Sequence, residues 1–149
     1  MATFHSLEEL QNEAIRFAQT LSPKTDTATL VTLSGELGAG KTSFTQGVAK
    51  ALGVEGSVTS PTFVIEKLYP LEKGAGRGFN QLVHIDAYRF KNKEELHVLG
   101  FDELLKNPPT LIFIEWPENI EGAFTKEHVH VSIVVREDSA REITYTPHG

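Results

Sequence analysis

The sequence contains no cysteine. That excludes disulfide staples, thiolate nucleophiles and cysteine-ligated zinc together, and it suits a reducing compartment. Nor is there any stretch near the ~20 consecutive apolar residues that a membrane span needs. The N-terminal residues Met1 to Gln11 have neither the basic start nor the apolar run of a secretory signal. A cytoplasmic protein without a membrane partner is therefore expected. Basic residues are also scarce: 14 Lys and Arg against 20 Asp and Glu leave a net charge of −6, and no Lys/Arg cluster stands out. Nucleic-acid binding draws on such clusters to replace phosphate counterions, so direct nucleic-acid binding by this chain alone is not expected. What remains is ordinary for a soluble globular protein: 149 residues, 40% apolar and 23% charged, enough for a single domain over 1–149 with its own core.

Periodicity divides the chain into alternating elements. Ser6 followed by Glu9 has the form of a capping box, and Leu7, Leu10, Ala14, Phe17, Ala18 and Leu21 keep helical spacing, so a helix is expected from about Ser6 to Leu21. Ala28 to Leu33 reads as a buried strand, Lys41 to Leu52 as a helix stopped by Gly53, and Phe63 to Tyr69 and Gln81 to Asp86 as strands. The segment between the last two, with Gly74, Gly76 and Gly78, has the composition of a mobile hairpin loop. Glu94 to Lys106 is helical with a break at Gly100, and Thr110 to Trp116 is a second buried strand before Pro117. Val129, Val131, Ile133 and Val135 alternate with His128, His130 and Ser132, a half-solvated strand whose hairpin partner carries Ile143 and Tyr145. The pattern predicts a three-layer α/β domain with a central, mostly parallel sheet and added antiparallel hairpins.

Between the first buried strand and the helix after it lies Gly35-Glu36-Leu37-Gly38-Ala39-Gly40-Lys41-Thr42, which satisfies G-x-x-x-x-G-K-[ST]. In a P-loop NTPase, backbone N–H groups wrap the β-phosphate, and glycines permit angles that a Cβ forbids. The helix N-terminus adds partial positive charge, Lys41 reaches the β- and γ-phosphates, and the Thr42 hydroxyl ligates Mg²⁺. Ser43 is placed to meet the α-phosphate. Chance produces this pattern in roughly one chain of this length in two hundred, and here it also sits between a strand and a helix. ATP with Mg²⁺ is the expected cofactor pair.

Such a site needs an acid near the metal, and two apolar strands end in one: Val83-His84-Ile85-Asp86 and Ile112-Phe113-Ile114-Glu115. The bland alternative is that polar residues simply mark where strands stop. Glu115 stands in the Walker-B-like place, with a side chain long enough to hold Mg²⁺ through water or to orient the attacking water. In Ser60-Pro61-Thr62-Phe63, Thr62 is either a γ-phosphate sensor of the switch type or part of a proline turn entering a strand. His84 and Asp86 share a strand face but are too few for zinc. His128 and His130 read as a solvated face. Asn92-Lys93-Glu94-Glu95 lacks the Asp of a guanine-reading motif.

The glycine loop, then Ser60-Pro61-Thr62-Phe63, then His84-Ile85-Asp86-Ala87-Tyr88-Arg89, then Glu115-Trp116-Pro117-Glu118, resemble in order and spacing the bacterial TsaE (YjeE) family. The four blocks cover about Ser34 to Glu118. The resemblance implies a P-loop ATPase, feeble alone, that serves threonylcarbamoyladenosine synthesis on tRNA by acting on the TsaD–TsaB complex. It implies nucleotide contacts from Glu36, Leu37, Gly38, Ala39, Gly40, Lys41, Thr42 and Ser43, with Trp116 beside the site. It makes Thr62 switch-like, Asp86 a catalytic-site acid, and Thr42 and Glu115 the metal-linked residues. Two other readings remain: a P-loop small-molecule kinase, and a nucleotide-dependent binding module whose hydrolysis is incidental.

Overall fold

The computed structural model describes residues 2–36, 38–54, 66–72, 74–124 and 127–148. The chain runs β1 (Ala2–Phe4), α1 (Leu7–Ala18), β2 (Thr29–Ser34), α2 (Lys41–Ala51), β3 (Glu66–Pro70), β4 (Gln81–Asp86), α3 (Glu94–Val98), α4 (Phe101–Leu105), β5 (Thr110–Glu115), a 3-10 turn (Pro117–Ile120), β6 (His128–Val135) and β7 (Arg141–His148). Seven strands form one sheet in the order β1-β7-β6-β2-β5-β4-β3. The pairs β4·β5, β5·β2 and β2·β6 are parallel, while β3, β7 and β1 join antiparallel at the edges. This is the expected α/β design, with a parallel centre and hairpins outside it.

The central strands are continuous apolar runs because both faces are covered. Val31, Leu33, Leu82, Leu111 and Phe113 are buried with α1 and α2; Leu30, Val83, Ile85, Ile112 and Ile114 are buried with α3, α4 and the 3-10 turn. At the start of α1 the Glu9 N–H donates to Ser6 Oγ at 3.1 Å, as expected, but the Glu9 carboxylate accepts from the His5 N–H at 2.7 Å, one residue earlier than a standard capping box. The helix ends at Ala18, short of Leu21, where the Thr20 hydroxyl donates to the Phe17 carbonyl at 2.6 Å and Leu21 turns into the core. Where α1 meets α2, a Cβ on Gly47 would lie 2.7 Å from Ala14 Cβ and 2.8 Å from the Gln11 carbonyl, so only glycine lets the helices approach this closely.

Gly100, at φ +76°, separates α3 from α4 at the expected break. The β3–β4 hairpin also forms, but its connection is not a free tip. Leu71 and Phe79 at its two ends are buried in the α1/α2 core, and the Gly76 N–H donates to the Glu72 carbonyl at 2.8 Å. An apolar residue at each end pulls the loop down. The expected strand start at Phe63 lies outside the described residues.

Candidate functional site

β2 ends at Ser34 and α2 begins at Lys41, so the glycine loop lies at the carboxyl edge of the sheet, where α/β folds place ligands. A Cβ on Gly35 would stand 2.6 Å from the Ile133 carbonyl oxygen, which requires glycine where the loop leaves β2 beside β6. Gly40 caps α2 at φ +118° without a side-chain hydrogen bond, leaving first-turn N–H groups and the helix dipole open to an anion. Lys41 is buried; its ammonium donates to the Gly35 carbonyl and, at 3.5 Å, toward that of Glu36, and it lies 3.9 Å from the centroid of the Trp116 ring. Burial pushes the Lys41 pKa below the ordinary lysine value, opposed by the carboxylates of Glu115, Glu118 and Asp86.

Asp86 and Glu115 are direct partners in the β4–β5 register, both buried, so the two strand-end acids stand side by side. One oxygen of Asp86 accepts from the Tyr88 N–H at 2.9 Å, which turns the chain out of β4. Glu115 Oε2 lies 2.6 Å from Nε2 of the fully buried His84. An ionised carboxylate can only accept, so it draws the imidazole proton to Nε2. The other ring nitrogen, Nδ1, is buried with no partner among the described residues. Trp116 follows in the left-handed region at φ +61°, a strained conformation for a bulky residue, secured by its N–H donating to the Leu33 carbonyl at 3.1 Å. Its ring packs against that of Tyr88 at 5.0 Å.

A cleft of 460 Å³ gathers these groups: Gly38, Gly40, Lys41, Thr42 and Ser43 from the loop and α2, and Asp86, Glu115 and Trp116 from the ends of β4 and β5. Glu36 lines an adjoining groove that shares Trp116, and Ala39 is buried beneath the loop. Leu37 and Thr62 lie outside the described residues. The oxygen donors present, Thr42, Asp86 and Glu115, suit a hard cation. Among the described residues no three His, Asp or Glu side chains form a metal cage. Mg²⁺ takes few protein oxygens and keeps water and phosphate as its other ligands, so this donor set fits it.

The family model described as "Threonylcarbamoyl adenosine biosynthesis protein TsaE" matches residues 5–143. The chain belongs to the TsaE family. The tRNA threonylcarbamoyladenosine biosynthesis protein TsaE of Rickettsia prowazekii is 38% identical over 142 residues, 95% of this chain and 90% of its own. The protein of the same name from Streptomyces coelicolor is 42% identical over 125 residues, 80% of each chain. The crystal structure of YdiB from Bacillus subtilis is similar with a TM-score of 0.77 at 32% identity, covering 99% of this chain and 84% of YdiB. The resemblance carried by the four sequence blocks is thus borne out. No helix among the described residues is long and apolar enough to cross a membrane.

Three residues at this TsaE-family site escaped the sequence reading. His84 shares the face of Asp86 as expected, and the contact that sequence could not supply is its hydrogen bond to Glu115 on the neighbouring strand. His130, expected on a solvated face, has its two ring nitrogens 2.8 Å from Thr32 Oγ1 and 2.9 Å from Ser34 Oγ. β6 pairs with β2, so that face is closed by the last residues before the loop. Arg141 on β7 donates from Nε to the Ala39 carbonyl at 2.8 Å and from Nη2 to the Gly38 carbonyl at 3.3 Å. No local signal marks it.

Proposed function

We propose that this chain, acting as a single cytoplasmic domain, binds ATP with Mg²⁺, hydrolyses it slowly, and supports threonylcarbamoyladenosine modification of tRNA by acting on the TsaD–TsaB complex. The observation that carries this reading is the meeting of Lys41 and Thr42, at the N-terminus of α2, with the buried pair Asp86 and Glu115 in one cleft. Backbone N–H groups from Glu36 to Ser43 bind the phosphates, and Lys41 exchanges the carbonyls of Gly35 and Glu36 for phosphoryl oxygens. Bound Mg²⁺, with Thr42 and Glu115 as its protein contacts, would neutralise charge developing on the phosphates. Asp86 and Glu115, both buried at the strand ends, hold and orient the attacking water. Thr62 senses the γ-phosphate.

The kinase reading fares worse here. A phosphoryl-transfer kinase needs arginines free to clamp the moving group. The arginine lining this cleft, Arg141, has donors engaged on loop carbonyls.

ATP turnover measured with and without TsaD–TsaB tests the proposal. Hydrolysis should be faster in the complex, partner binding should depend on ATP, and the isolated acidic chain should show negligible tRNA binding at about 150 mM salt. Partner affinity identical with ATP, ADP and no nucleotide would leave a constitutive subunit in place of a switch. Glu115→Gln separates an enzyme from a binding module: if the hydrolysis-dead chain still supports modification, hydrolysis is incidental.

A further inference from the structure

A phosphate loop works by presenting backbone N–H groups to an anion, and dipoles that converge on one point without an anion repel one another. Something must hold the opposite ends of those peptide units. At the start of the loop Lys41 does so, donating to the carbonyl of Gly35 and toward that of Glu36. At the end of the loop the holder is Arg141, whose guanidinium bridges the Gly38 and Ala39 carbonyls. The two cations differ in what they are free to do. Lys41 is the ligand's own contact and must release the loop when phosphate arrives. Arg141 can remain where it is.

Its anchorage suits that task. The backbone of Arg141 is paired on both sides, with Phe4 of β1 and Val135 of β6, so its Cα is fixed in the sheet. Carbonyl and N–H of one peptide unit point in opposite directions. Drawing the Ala39 carbonyl toward β7 therefore turns the Gly40 N–H away from β7. Drawing the Gly38 carbonyl the same way orients the Ala39 N–H, which donates to the Glu36 carbonyl at 3.0 Å and closes the inner turn of the loop. Gly40 itself sits at φ +118°, a region glycine reaches freely, so its own backbone does not lock the loop.

We propose that Arg141 is a positioning residue that pre-organises the phosphate loop in the absence of ligand, by fixing the Gly38 and Ala39 carbonyls toward β7. The affinity arm of its test rests on the nucleotide-binding reading above; the loop-order arm does not. Arg141→Gln and Arg141→Lys are compared with the parent chain by ¹⁵N heteronuclear NOE at Ala39 and Gly40 without ligand, by calorimetry with ADP and with ATP, and by thermal melting. With Gln, the NOE at both amides should fall. ADP and ATP affinity should drop by the same factor, about tenfold, as expected on losing charge-assisted hydrogen bonds. The melting temperature should hold. Lys should recover part of the loss, because an ammonium cannot span two carbonyls as a planar fork does. If Arg141→Gln does not fold, Arg141→Lys alone carries the comparison, with intermediate values expected.

Unchanged loop order in these variants overturns the proposal. So does a loss confined to ATP with the loop still ordered, which would make Arg141 a direct phosphate contact. If the parent chain binds no nucleotide yet Arg141→Gln loosens the loop, the positioning role stands and the nucleotide reading fails.

Discussion

Toward α3 and α4, strands β4 and β5 present Val83, Ile85, Ile112 and Ile114; toward α1 and α2 the same strands present Leu82, Leu111 and Phe113, then His84, Asp86 and Glu115. The backbone alternation is common to both faces, so the difference lies in the side chains alone. One face is apolar from Val83 and Ile112 to its carboxyl end, after the hydrogen-bonded pair Gln81 and Thr110 at its start. The other changes character at the carboxyl end, beside the N-terminus of α2. Burying carboxylates is costly unless they are hydrogen-bonded or paired, and each of these is bonded, to the Tyr88 N–H or to His84. The mainly apolar face supplies stability that offsets the cost of the polar edge. Stability and chemistry should therefore separate by face.

The largest effect should come from the apolar side. Phe101, fully buried against that face, should cost about 3–5 kcal/mol when cut to Ala. Denaturant unfolding measures the loss, while nucleotide affinity of the folded protein should be unchanged. A parallel fall in affinity would break the separation. On the polar edge, Glu115→Gln should keep most ATP affinity and slow turnover by at least about a hundredfold, since a water-positioning or metal-linked acid acts mainly in the transition state. Asp86→Asn is the companion variant, and normal hydrolysis by both would remove the role given to the pair. Trp116, 3.9 Å from the Lys41 ammonium, should report ligand directly through a change in intrinsic fluorescence when ATP or ADP is added with Mg²⁺. A flat titration at saturation would make it a core tryptophan indifferent to the cleft.

The smallest effect sharpens the comparison, because not every polar group under α1 serves the site. Burial works to raise the Glu13 carboxyl, but the Arg16 guanidinium and the Tyr145 hydroxyl outweigh it and hold its pKa below the ordinary value. A depressed carboxylate contributes stability above its unfolded pKa and loses it as pH falls through the folded one. Glu13→Gln should cost about 1 kcal/mol at neutral pH, with the gap to the parent closing in acid. Nucleotide affinity should not move.

How much of this was legible followed from distance along the chain. The phosphate loop could be read because its residues are contiguous, and its flanking strand and helix begin within a residue of expectation. Asp86 and Glu115 could each be read as strand ends. Their adjacency could not, because it depends on the register of two parallel strands joined through α3 and α4. The same holds for His84, whose partner is on the next strand, and for His130, whose face closes only when β6 lies beside β2. Arg141 is the extreme case: its contacts span more than a hundred residues, and in the sequence an arginine opening a strand looks like any solvated cation. The β3–β4 hairpin connection could be read from its glycines, but not the burial of Leu71 and Phe79 at its ends, because glycine content signals turns and not whether the residues beside them are buried.

Calorimetric titration of ATP-Mg²⁺ into the parent chain and into Lys41→Ala tests the central claim most directly. The account predicts binding by the parent and an affinity loss of about 2 kcal/mol or more in the variant, as a charge-assisted phosphate contact requires. Equal affinity in the two proteins, or no binding by the parent, would contradict it.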